Sequence, residues 1–121
     1  MSDPIRSYRD LIAWQKAYAQ GRAVHEQTRA FPSDERFGLT SQMRRSATSV
    51  PYNIAEGYGR GTTDSYVHFL RMARGSLFEL ETQMMYAKDF GYWSQDTFDE
   101  MHHNWREVDR LLQALIRSLG G

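Results

Sequence analysis

Proline-bearing or glycine-rich breaks occur in only three places, near residues 31–33, 57–62 and 91–94. They leave four segments, each long enough for a helix of about 30 Å. In each segment the apolar side chains recur in steps of three and four, the spacing of one helical stripe. Nothing alternates with period two over a useful length, so no sheet is expected. Four amphipathic helices with short connections predict an all-α fold, an antiparallel up-down-up-down four-helix bundle. One domain fills 1–121, with helices at about 8–30, 34–57, 63–90 and 95–119.

Ser7 with Asp10 three residues on gives the first segment a capping-box start. Its stripe runs Leu11, Trp14, Ala17, Tyr18, Gly21, Val24 and Thr28, and Phe31-Pro32 ends it. Ser33 is the expected cap of the second, with Asp34 and Glu35 in a first turn where the helix dipole favours them. Leu39, Met43, Ala47, Val50 and Ile54 form its core stripe, Pro51 should kink it at the Ala47 carbonyl, and Gly57 reads as its terminator. The third starts after Thr62 or Thr63. Tyr66, Phe69, Leu70, Ala73, Leu77, Leu80, Met84 and Ala87 face one way, and Gly91 closes it. Ser94 caps the fourth, where Phe98, Met101, Trp105, Val108, Leu112, Leu115 and Leu119 form an a/d-like seam.

Residues off these stripes carry the functional expectations. Gln42, Arg45, Ser49, Asn53 and Glu56 share a second, polar face of the second segment. Arg45 and Glu56 are too far apart to pair along one helix, but could pair across a second copy. Phe78 and Met85 are apolar outside the main stripe of the third segment, which points to a subunit contact. Gly75 in mid-helix costs about 1 kcal/mol relative to Ala, which a close helix approach there would offset.

The chain has fifteen basic and fifteen acidic side chains and no cysteine. The missing thiols exclude disulfides, thiolate metal sites and cysteine nucleophiles. No apolar run reaches the ~20 residues needed to span a bilayer, and no signal-peptide pattern opens the chain, so a cytoplasmic setting is expected. The charges are segregated. Residues 36–74 hold six arginines against Glu56 and Asp64, whereas 79–109 hold eight acids against Lys88 and Arg106. A basic centre attracts phosphate or an acidic surface. The plainer reading is mutual neutralisation within the fold or between subunits.

Chemistry candidates are weak. Glu100 and His103 have the Glu-x-x-His spacing of di-iron bundles, but such a site needs two of these motifs facing inward, so no metal is expected. His25 and His102 lie near core stripes, and His68 lies off its own. Gly57-Tyr58-Gly59-Arg60-Gly61 lacks the preceding strand and the ending of a Walker loop. It reads as a connector that sets Arg60 at a helix N-terminus, an anion-binding position. No catalytic constellation and no cofactor site is expected.

Four stretches together resemble a known family. They are Asp10–Ala17, Phe31–Leu39, Gln42–Ala47 running on through Ser49–Arg60, and Phe69–Glu81. The most specific part is Asn53-Ile54-Ala55-Glu56-Gly57 with Gln42, Arg44 and Arg45 upstream. The chain resembles the small four-helix-bundle proteins encoded in intervening sequences of bacterial 23S ribosomal RNA genes. That resemblance implies a ring, expected to be a homopentamer. A related branch, the accessory proteins of diversity-generating retroelements, implies binding to nucleic acid and to a reverse transcriptase. The motif residues carried over are Gln42, Arg44, Arg45, Asn53, Glu56, Gly57 and Arg60. Tyr52 stands where a small residue is common, and Thr62-Thr63-Asp64-Ser65 replaces frequent lysines.

The expected function is therefore a non-enzymatic homo-oligomer that binds RNA or DNA through Arg44, Arg60, Arg71 and Arg74 repeated around a ring. The interface is expected to involve Gln42, Arg45, Ser49, Asn53, Glu56, Phe78 and Met85. The rival is a structural or protein-binding scaffold whose arginines serve subunit contacts.

Overall fold

Four helices follow one another in a computed structural model that describes residues 4–121: α1 (Ile12–Gln27), α2 (Leu39–Gly59), α3 (Thr63–Asp89) and α4 (Gln95–Ser118). No strand occurs among the described residues. Cross-helix pairs fix the directions. Thr28 meets Arg44 while Gly21 meets Ala47, so α1 and α2 run oppositely. Ser46 pairs with Glu79 and Ser49 with Ser76 across α2 and α3. Arg74 meets Asp109 and Glu81 meets His102 across α3 and α4. Lys16 meets Glu107 and Gln27 meets Trp93, which returns α4 antiparallel to α1. Each helix packs on its two neighbours in a closed square, the arrangement expected of the four stripes.

The stripes of α2, α3 and α4 form the core as predicted, with Met43, Val50, Ile54, Leu70, Leu77, Leu80, Met84, Val108 and Leu112 essentially buried. Two indoles anchor it. Trp105 donates its Nε1–H to the Leu77 carbonyl at 2.7 Å, and Trp93 donates to the Gln27 carbonyl at 2.8 Å. Both rings thereby bury their apolar area while keeping a hydrogen-bond partner.

The first two helices begin later than their sequence suggests. The Ser7–Asp10 capping box exists, but it caps a 3-10 turn over Tyr8–Asp10; Leu11 is extended (ψ 125°), and α1 starts at Ile12. Ser33 opens another 3-10 turn and does not cap α2. Glu35 takes that role: its Oε1 accepts the Leu39 N–H at 3.1 Å, and its Oε2 accepts the Tyr92 hydroxyl at 2.8 Å. One carboxylate thus fixes the start of α2 to the α3–α4 connection. Tyr18, expected in the core stripe, is half exposed and stacks on Trp14 outside the bundle. Ala17, Gly21, Val24 and Thr28 face inward as the stripe predicts, and Ala13 and Gln20 join them.

Gly57 does not end α2, which runs on to Gly59. A Cβ at Gly57 would lie 2.8 Å from Phe69 Cβ and 3.1 Å from the Tyr66 carbonyl oxygen. The glycine therefore marks the tight crossing of α2 and α3. Helix α2 continues through Pro51, and the connection to α3 is reduced to Arg60, Gly61 and Thr62. Gly61 takes φ +85°, and the Thr62 hydroxyl accepts the Ser65 N–H to open α3.

Candidate assembly and nucleic-acid surfaces

The polar face of α2 divides in two. Ser49 and Asn53 are turned into the seam with α3: the Ser49 and Ser76 hydroxyls are 2.8 Å apart, and Asn53 Nδ2 donates to the Ser49 carbonyl and hydroxyl. Gln42 and Arg45 are exposed and line an open groove with Ser46, Glu79, Thr82 and Gln83. Glu56 has a partner within the subunit, Arg60 at 3.5 Å, with both side chains about half exposed (53%/53%). Arg45 has no carboxylate partner among the described residues.

This side of the subunit also carries apolar area that the sequence reading missed. The register set by the serine pair brings Met72 level with Asn53. Tyr52 is 70% and Met72 46% exposed. The signal was present in Tyr52, a large aromatic on an otherwise polar face.

Phe78 and Met85 occupy a different flank, the side of α3 that faces α4. Phe78 is partly covered, edge-on to Trp105 with ring centroids 5.4 Å apart, and Met85 is half exposed. Below them two polar clasps join the helices. His102 is stacked between Phe98 and Trp105, and its Nε2 lies 2.7 Å from Glu81 Oε2. Arg74 Nε donates to Asp109 Oδ1 at 2.7 Å while its guanidinium covers the Phe78 ring. His25, expected near the core, is exposed, as are His68 and His103.

The four arginines assigned to nucleic acid from the sequence do not form one patch. Arg44 is partly buried: its Nε donates to Thr28 Oγ1 at 2.9 Å and its Nη2 to the His25 carbonyl at 3.2 Å. It sits at the C-terminus of α1, where the helix dipole favours a cation. Arg60 ends α2 about 24 Å along that helix. It lies over the Phe69 ring and beside Glu56, and not free at the N-terminus of α3. Arg71 is exposed with no carboxylate partner among the described residues, and Arg74 is held by Asp109.

The fold brings a different set together. Arg71 and Arg74 on α3 line a groove with Gln113 and Arg117 of α4, and Arg106 and Arg110 continue it along α4. Arg106, Arg110 and Arg117 are exposed and went unnoticed in the sequence because they were counted with, or lay beyond, the acidic stretch. Their recurrence with Gln113 in steps of three and four was the available signal.

Neither Glu100 nor His103 is buried, and no three ligand side chains converge among the described residues. Two phenols are perturbed. The hydrogen bond to Glu35 is the main cause that raises the Tyr92 pKa, and burial beside Tyr58 raises that of Tyr66, whose hydroxyl has no partner.

A family model for the 23S rRNA-intervening sequence protein matches residues 9–114. The crystal structure of a protein with unknown function from the S23 ribosomal protein family of Bacteroides thetaiotaomicron shares the fold. Its TM-score is 0.78 at 19% sequence identity, over 86% of this chain and 97% of that one. No curated protein matches.

Proposed function

The chain belongs to the 23S rRNA-intervening sequence protein family, and we propose on that premise that it acts without catalysis, as a homo-oligomeric ring that binds RNA or DNA. The ring is taken to be a pentamer, and the basic surface is repeated by each subunit. The observation that carries this reading is the pair of unlike apolar patches flanking α3, Tyr52 of α2 with Met72 on one side and Phe78 with Met85 on the other. Two different patches suit heterologous contacts, which close into rings. Repetition then multiplies the few unpaired arginines of one subunit into a field able to hold a polyanion, since engagement at several sites raises avidity without new contacts. No helix is long and apolar enough to cross a membrane among the described residues.

A scaffold without nucleic-acid affinity is the second reading, favoured by the internal engagement of Arg44 and Arg74. Light scattering on a size-exclusion column and retention of a labelled RNA, measured on one preparation, separate the two. The ring gives a mass about five times the 14.1 kDa chain. A monomer at tens of micromolar refutes the ring. Absence of RNA retention at about 50 mM salt, where phosphate contacts are strongest, leaves the scaffold.

A further inference from the structure

We propose that the α3–α4 arginine groove seats the sugar–phosphate backbone of a double-stranded nucleic acid. This rests on the nucleic-acid reading above and assigns it a site. Arg106, Arg110 and Arg117 lie along one side of α4, spanning about 16 Å of helix, and Arg71 faces them from α3. All four are exposed, and none has a carboxylate partner among the described residues. The one acidic side chain lining the groove, Asp109, is already engaged twice: Arg74 Nε donates to its Oδ1 and Gln113 Nε2 to its Oδ2, each at 2.7 Å. Glu107, one turn from Arg110, is turned toward Lys16 of α1. The next acids on this side of α3 are Asp64, two turns before Arg71, and Glu81, two turns after Arg74 and held by His102. The groove therefore carries an uncompensated positive charge although the chain as a whole is neutral.

Its lining selects the form of the polyanion. Single strands are held by exposed aromatic rings on which bases stack. The aromatic side chain of this groove, Trp105, is only 5% exposed, with its N–H committed to Leu77. Phe78, 44% exposed, lies outside the groove lining, edge-on to Trp105 and with the Arg74 guanidinium over its ring. A row of guanidinium groups without a stacking platform contacts phosphates and reads shape, not base sequence.

The test compares wild type, Arg110→Gln/Arg117→Gln and Arg71→Gln/Arg106→Gln. Each is measured for mass, far-UV circular dichroism and affinity for a labelled RNA hairpin, a DNA duplex and a single strand of equal length. The proposal expects duplexes to bind better than the single strand. It expects both double variants to keep wild-type mass and helicity while losing about tenfold or more in duplex affinity. The slope of log affinity against log salt should shrink by about 1 for each arginine removed per engaged subunit. Unchanged duplex affinity in both variants, with wild type binding, overturns the groove and leaves the nucleic-acid reading standing. A fall in mass makes these arginines subunit contacts and also overturns it, as does preference for the single strand. Failure of wild type to bind any probe at about 50 mM salt removes the nucleic-acid reading itself, and the groove with it.

Discussion

Replacing Gly75 by alanine should stabilise the protein, whereas the same change at Gly57 should not, although both lie inside helices. Alanine gains about 1 kcal/mol over glycine in a helix interior, chiefly through backbone entropy. At Gly75 nothing lies within 4 Å of the added Cβ, so that gain stands. At Gly57 the Cβ arrives 2.8 Å from Phe69 Cβ and 3.1 Å from the Tyr66 carbonyl oxygen. Neither neighbour is the free end of a flexible side chain, so α2 and α3 must separate. Overpacking of this kind costs about 1–3 kcal/mol, which cancels or exceeds the propensity gain. The two variants should therefore differ by about 1–3 kcal/mol, or several degrees in Tm for a domain of this size. Urea and thermal unfolding followed by far-UV circular dichroism measure it, at one protomer concentration because assembly couples stability to concentration. A Gly57→Ala protein as stable as Gly75→Ala refutes the argument from the crossing. A Gly75→Ala protein that loses mass shows instead that a second copy packs on that glycine.

Arg44→Ala should destabilise the subunit by about 1–2 kcal/mol, because two hydrogen bonds from a partly buried cation are lost; urea midpoints check this, and duplex affinity should not change. Stability should also fall at alkaline pH. Tyr92 and Tyr66 have pKa values raised above 10.0, so their contribution is complete below pH 10.0 and lost as pH rises through the folded-state values. Tyr92→Phe should flatten the alkaline limb of a stability–pH curve, and an unaltered limb counts against the Glu35 bond as its cause.

The stripes of α2, α3 and α4 were legible because large aliphatic residues recur there in unbroken helical steps. On α1 the stripe through Ala17, Gly21 and Val24 was legible, but bulky Tyr18 drew the reading away from the small Ala13 and the polar Gln20, which face inward. Helix starts were misplaced where a local cap competed with a longer reach, as Ser33 did with Glu35. The surface roles were harder still. The partner of Arg74 is 35 residues away in the chain, and only the antiparallel register of α3 and α4 reveals it. The most specific motif of the sequence contains seam residues: Asn53 ties back to Ser49, and Gly57 permits the crossing.

The three-residue connection between α2 and α3 joins the pair with the most extensive packing in the molecule. Contacts between sequence neighbours close small loops, so this hairpin can form early and quickly. Helix α4 follows α3 after a five-residue connection, and its docking brings Trp105 to the Leu77 carbonyl and pairs Arg74 with Asp109. Until then α3 presents Arg71 and Arg74 alone beside exposed core. The arginine groove is in this sense a product of α3–α4 docking, so affinity for a polyanion would report that these two helices have closed on each other.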